Sequence, residues 1–222
     1  MTDQADFTPE LIARIGNCGA IAAVTIDDAD AAIPLAKSLL ACRIDVMEIT
    51  LGTPVAIDAM RRIRDEVPEM LVGAGTISSA DQVSAAIDAG AAFGVAPGLS
   101  RGVVLESRQC GLPFAPGVIT PTEMETAIDL GCRQLNIFPI EPIGGIKYLR
   151  TMVMPFEHLG LKFFVSGGIN PSNMTAYLYH DDITAIGGAW IAPRSQIRTQ
   201  DWSAVIDNAI EAASIVKEMK PR

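Results

Sequence analysis

"RQLNIFPIEPIGG", residues 133–145, reads as a buried strand that runs into a glycine turn. Leu135, Ile137 and Phe138 make it apolar, yet Asn136 sets an uncharged amide in its middle. Short β-rich runs like this one alternate along the chain with segments whose apolar residues recur three and four apart, the mark of amphipathic helices. Upstream lie "GAIAAVTI" (19–26), "VMEIT" (46–50), "MLVGAGT" (70–76), "FGVAPG" (93–98) and "PFAPGVI" (113–119). "QLNIFP" (134–139) is the sixth run, and "KFFVSGG" (162–168) and "ITAIGGAWI" (183–191) complete the set. Helical stretches such as "DDADAAIPLAKSLLA" and "PVAIDAMRRIRDEV" fall between them. Eight strands, each followed by a helix, is the count of a closed (β/α)8 TIM barrel. "TPELIARIG" is expected to form an extra N-terminal helix over the barrel bottom. No linker breaks the alternation, so one barrel domain over residues 1–222 is expected.

Bulk properties narrow the function classes. The chain is 49% hydrophobic and only 5% aromatic, so its core must be built from Ala, Val, Ile and Leu. A net charge of −9 argues against nucleic acid and against anionic membrane surfaces as partners. No apolar run has the length needed to cross a bilayer, and the polar start "MTDQADFTPE" is unlike a signal peptide. A cytoplasmic location is therefore expected. Cys18, Cys42, Cys110 and Cys132 have no CxxC spacing, and His158 and His180 have no ligand-spaced neighbours, so no metal site is expected.

In such a barrel the loops that follow the strands form the active-site face. Strand alternation puts Glu48 and Thr50 on one face of the second strand, and Asn136 and Phe138 on one face of the sixth. If those faces point inward, a carboxylate and an amide meet near the upper mouth. A carboxylate between Met47 and Ile49 is costly unless it is paired or used. Burial should raise its pKa into the range of a proton shuttle near neutral pH. A structural carboxylate bonded to Thr50 or to backbone is the alternative.

"SGGINPSN" (166–173) has the build of a phosphate cradle. Gly167 and Gly168 let backbone approach a ligand, Asn170 suits an N-cap, and Pro171 suits the first helical position. The helix start would then offer N–H groups to an anion. "IGGAW" (186–190) adds Gly187 and Gly188 at the end of the eighth strand, and turns after strands seven and eight are the usual phosphate place in these barrels. Glycines that only permit tight turns are the alternative. "VGAGTISS" (72–79) lacks the third glycine and the acidic partner of a dinucleotide fingerprint. Thr76 is read instead as a hydroxyl for a substrate carboxylate or carbonyl, and Pro97 as stiffening the opposite wall.

Taken in order, "VMEITLGTP", "LVGAGTI", "VAPGLS", "APGVITPTE", "IFPIEPIGGIKYL", "SGGINPSN" and "IGGAW" resemble the aldolases that cleave 2-keto-3-deoxy-6-phosphogluconate (KDPG) and 4-hydroxy-2-oxoglutarate (KHG). The resemblance implies a (β/α)8 barrel, assembled as a cytoplasmic homotrimer and needing no cofactor. It implies cleavage of a 2-keto-4-hydroxy acid to pyruvate and an aldehyde, with a 2-oxo acid or phosphorylated sugar acid as ligand. In that family a lysine on the sixth strand forms an iminium with the substrate ketone, and a glutamate on the second strand moves the protons. Carried across, the glutamate is Glu48, the third-strand threonine is Thr76, the fourth-strand proline is Pro97, and the aromatic after the lysine is Phe138. The threonine before the seventh-strand glycines is Ser166.

The lysine falls on Asn136, whose nitrogen lone pair is delocalised into the amide and cannot form an iminium. The family's arginine is replaced by Gly52, and the serine after the eighth-strand glycines by Ala189. Lys147, past the "GGI" turn, is the one lysine placed to reach the mouth, and Arg101 is a candidate for the missing cation. Three functions stay open: the family's lyase reaction in impaired or altered form; a divergent enzyme in which Glu48 is the acid/base and Asn136 polarises a carbonyl; and a non-catalytic barrel that binds an oxo acid or phosphosugar.

Overall fold

The fold is that of a computed structural model, which describes residues 6–219. Its first helix, α1 (Pro9–Cys18), starts where Thr8 caps it, Oγ1 accepting from the Leu11 N–H at 3.2 Å, and stops at Gly19 in the left-handed region (φ 68°). The chain then alternates. β1 (Ala20–Val24), α2 (Ala32–Ala41), β2 (Val46–Thr50), α3 (Ala56–Glu66), β3 (Leu71–Gly75), α4 (Ala80–Ala89), β4 (Phe93–Val95) and α5 (Arg101–Cys110) make up the first half. β5 (Phe114–Ala115), β6 (Gly117–Val118), α6 (Pro121–Asp129), β7 (Gln134–Ile137), α7 (Gly145–Val153), β8 (Lys162–Ser166), α8 (Met174–Leu178), β9 (Ile183–Gly188), α9 (Arg194–Thr199) and α10 (Trp202–Met219) complete it. Hydroxyl residues set several helix starts: Ser79 caps α4, Ser100 caps α5, and Thr120 forms a reciprocal capping box with Glu123 on α6.

All strand pairs are parallel, in the order β5-β4-β3-β2-β1-β9-β8-β7-β6. Nine strands appear where eight are expected because Pro116, which has no N–H, splits the fifth. Its first half pairs with β4 and its second half with β7, and the Pro116 carbonyl accepts from the Asn136 N–H at 2.9 Å. One broken strand thus closes the (β/α)8 barrel. The expected sixth, seventh and eighth strands are β7, β8 and β9.

The helices bury Ala, Val, Leu and Ile against the strands, as the aromatic-poor composition requires. The bottom of the barrel is plugged differently. Phe7 packs edge-on to Phe164 (centroids 5.5 Å apart), and both rings meet Phe93. α1 packs against β1 and β9 beside this plug. That leaves the carboxyl ends of the strands as the open face.

Candidate active site

A cavity of about 400 Å³ opens at that face, a size suited to a small molecule. Six strands contribute residues near their carboxyl ends: Ala23 from β1, Glu48 and Thr50 from β2, Val95 from β4, Asn136 from β7, Ser166 from β8 and Gly187 from β9. Thr76, Ala96, Pro97, Phe138, Gly167, Gly168, Ile169, Ala189 and Trp190 follow from the loops. Glu48, Thr76, Pro97, Asn136, Phe138, Ser166, Gly167, Gly168 and Gly187 all lie here as the sequence suggested, whereas Gly188 does not line the cavity and packs against Trp190 and Ile191. The cavity brings the carboxylate of β2 and the amide of β7 into one space, with Phe138 37% exposed at its rim.

Glu48 fits only because β3 carries a glycine beside it. A Cβ on Gly75 would fall inside the Glu48 carboxyl, 2.6 Å from Cδ. Among the described residues no group hydrogen-bonds or ion-pairs with that carboxyl. Burial alone therefore acts on it, raising its pKa from 4.5 to about 7. The result is a half-neutral carboxyl at pH 7, able to take or give a proton.

Asn136 is only 7% exposed, and its amide orientation follows from its neighbours. Nδ2 donates to the Ala96 carbonyl at 2.9 Å, and a carbonyl can only accept, so the nitrogen must be on that side. Oδ1 then faces Ser166, whose Oγ donates to it at 3.5 Å, a long and weak bond. One N–H of the amide is left over. Asn136 and Glu48 share the cavity without a hydrogen bond between them.

Thr76, exposed at the mouth, has φ 59°, a left-handed backbone that a β-branched residue rarely adopts. Gly167 (φ 93°) and Gly168 (φ 90°) are left-handed too, and a Cβ on either would strike the loop after β7, at Pro139 and Glu141 respectively. The helix after this turn starts later than expected. Asn170 nevertheless makes the bonds of an N-cap: its Oδ1 accepts from the Ser172 N–H (2.9 Å) and Ser172 Oγ (2.6 Å), and its carbonyl accepts from the Met174 N–H (3.0 Å). Asn173 Oδ1 holds the Asn170 N–H, so Pro171 lies in the turn and α8 begins at Met174.

Among the described residues, no Lys, Arg or His lines the cavity. Arg101 opens α5 and Lys147 lies on α7, both exposed and neither lining the cavity, so neither fills the place expected for it. Sequence reasoning missed Gly75, whose signal was the Gly-Ala-Gly alternation beside a strand carrying a lone carboxylate. It also missed Trp190, whose buried indole N–H has no hydrogen-bond partner among the described residues and lies over Gly188.

Known proteins share this architecture. The KDPG and KHG aldolase family model matches residues 11–208. The KHG/KDPG aldolase of Escherichia coli K12 is 34% identical over 194 residues, covering 87% of this chain and 90% of that protein. The 2-dehydro-3-deoxy-phosphogluconate aldolase of Treponema pallidum is 35% identical over 199 residues, 90% of this chain and 94% of its own. Among solved structures, the Legionella pneumophila KDPG aldolase, with pyruvate captured as a covalent carbinolamine, superposes with a TM-score of 0.85 at 32% identity, over 90% of this chain and 97% of that one. The Zymomonas mobilis enzyme crystallised with 3-phosphoglycerate gives 0.84 at 32% identity, over 92% and 95%. The chain therefore belongs to the KDPG/KHG aldolase family.

Proposed function

We propose that this protein acts on a small carbonyl compound by proton transfer through Glu48, without covalent attachment of the substrate. The observation that carries this is one cavity holding Glu48 and Asn136 with no lysine in its lining. In the family's terms Asn136 stands at the Schiff-base lysine position, where an amide can hydrogen-bond a carbonyl but not condense with it. The Glu48 carboxylate removes a proton from the carbon beside the carbonyl. The C–H electrons move into a C–C double bond, and the carbonyl π electrons move onto oxygen. The spare Asn136 N–H stabilises that oxygen. Once the Glu48 proton has exchanged with water, its return to the same carbon gives exchange; where that carbon bears a hydroxyl, the hydroxyl proton passes to the former carbonyl oxygen and Glu48 protonates the former carbonyl carbon, giving isomerisation. Thr76, Pro97, Phe138 and Ser166 shape the pocket, and Gly167, Gly168 and Gly187 take the oxygen-rich end of the ligand.

Borohydride reduction in the presence of pyruvate, read by intact mass, tests the non-covalent part. No adduct is expected, and an adduct that survives Lys147→Ala would sink the assignment. Solvent-deuterium exchange beside the ligand carbonyl tests the rest: it is expected, and it should be lost in Glu48→Gln.

A second reading, favoured by relatives all named as aldolases, is residual cleavage of a 2-keto-4-hydroxy acid to pyruvate and an aldehyde. Pyruvate release from such an acid would select it. Under either reading the chain is expected to be one barrel domain, to unfold in a single transition, to sediment as a homotrimer and to reside in the cytoplasm. Among the described residues no helix is long and apolar enough to cross a membrane.

A further inference from the structure

The charge in the Glu48 cavity is one-sided. Among the described residues Glu48 is the one ionisable side chain in the lining, and the remaining polar groups are the hydroxyls of Thr50, Thr76 and Ser166, the amide of Asn136 and the indole N–H of Trp190. Proteins hold small anions mainly with side-chain cations and with the N–H groups at helix starts. The lining has no cation. The helices after the two glycine turns, α8 and α9, have only five and six residues, too short to build a full dipole. The turn before α8 also uses its own N–H groups: Ser172 donates to Asn170 and Asn170 donates to Asn173. Beneath that turn lies a second carboxylate, Glu141, hydrogen-bonded to Tyr177. An anion seated here would meet the Glu48 carboxylate, with Glu141 behind the turn and outside the lining, and no side-chain cation among the described residues.

We propose that this site selects an uncharged hydroxy-carbonyl compound and rejects 2-oxo acids and phosphorylated sugars, with Glu48 as the discriminating charge. The proposal rests on the reading of Glu48 as the base. An anionic ligand meets one electrostatic cost that takes either of two forms. It is repelled by the Glu48 carboxylate, or by the same repulsion it pushes the carboxyl further towards its protonated form, which cannot act as a base. A neutral ketone incurs neither and finds three hydroxyls and an amide for its oxygens. Like-charge repulsion across a few ångströms near a protein surface corresponds to discrimination on the order of 100-fold.

The test compares uncharged hydroxyacetone and dihydroxyacetone with pyruvate and dihydroxyacetone phosphate, using full-length protein at pH 8. Solvent-deuterium incorporation is followed by NMR in wild type and Glu48→Gln. Exchange that depends on Glu48 and favours the neutral ketones by about 100-fold in kcat/KM is expected. Glu48-dependent exchange that is faster with pyruvate or dihydroxyacetone phosphate overturns the charge selection and leaves the base reading intact. Exchange unchanged by Glu48→Gln, or absent with all four, overturns the base reading. Ligand-detected NMR titration then decides charge selection separately. Pyruvate should bind Glu48→Gln more tightly than wild type while hydroxyacetone binds both alike, and equal pyruvate affinity in the two proteins would refute the role of the charge.

Discussion

Gly73 and Gly75 stand two residues apart on the inward face of β3, and each leaves room for a side chain from a neighbouring strand. At Gly73 the space is filled by the Phe93 ring, part of the aromatic plug with Phe7 and Phe164. At Gly75 it is filled by the Glu48 carboxyl. The lower filling is apolar and adds to burial. The upper one puts an unpaired carboxyl where water is scarce, which a fold selected for stability alone would avoid. The same contrast runs through the charges. At the bottom Arg108 donates to the Leu130 carbonyl at 2.6 Å and Lys162 to the Asp181 carbonyl at 2.9 Å, whereas the charge at the mouth has no partner among the described residues. Unmet electrostatic cost concentrated at one end marks that end as the working one.

The largest expected effect comes from removing that cost. Glu48→Gln should lower proton exchange by on the order of 10²-fold or more while stabilising the fold at alkaline pH. Below about pH 4.5 the carboxyl is protonated in folded and unfolded chains alike and contributes nothing. Between pH 4.5 and about 7 the unfolded chain has released the proton and the folded chain has not, so stability falls as pH rises. Above about pH 7 the whole loss is in place, on the order of 3 kcal/mol. Urea unfolding should therefore show Glu48→Gln about 2 kcal/mol more stable than wild type at pH 8, after about 1 kcal/mol for the amide's own desolvation, and slightly less stable than it below pH 4.5, where only that desolvation remains. A gain of the same size at both pH values would mean that Glu48 is not the desolvated group.

Next in size is the pair of glycines itself. In Gly75→Ala the obstructed atoms are the end of a flexible side chain, so the fold should survive and the carboxylate should move. Turnover is expected to fall by about 10²-fold with little change in urea midpoint. In Gly73→Ala the obstructed group is a packed ring, so stability should fall by about 1–3 kcal/mol with turnover per folded molecule retained. If both variants lose stability equally and keep turnover, the two ends of the barrel are not specialised in this way.

The sequence carries most of this architecture, because strand and helix periods, glycine turns and hydroxyl caps are local signals. The eight βα units and α1 are legible from it, and so is the meeting of Glu48 with Asn136 at the mouth. What local signals cannot carry is competition between neighbours. Pro116 breaks the fifth strand because its neighbours on either side take different partners. Asn170 makes its cap bonds, yet regular α8 begins only at Met174, because Asn173 turns back to hold the Asn170 N–H. The orientation of the Asn136 amide depends on Ala96, forty residues away. Each is a choice among partners that only the folded chain brings together.

The smallest expected effect concerns backbone strain at the mouth. Among the described residues, three non-glycine residues have left-handed backbones: Arg43, Thr76 and Gln200. Gln200 closes α9 and Arg43 lies just past the end of α2, positions where this conformation is common. Thr76 instead follows a strand, is β-branched, and lines the cavity, so its strain is not accounted for by ending a helix. Thr76→Gly should relieve the strain, and after the added chain entropy of glycine the net gain is about 1 kcal/mol. It also removes a hydroxyl from the cavity, so KM for the carbonyl ligand should rise several-fold while kcat changes less. Arg43→Gly is the control, because it relieves a similar backbone far from the ligand and should leave KM alone. If Thr76→Gly gains stability with KM unchanged, the hydroxyl does not touch the ligand, and the strained turn serves only to shape the wall beside Glu48.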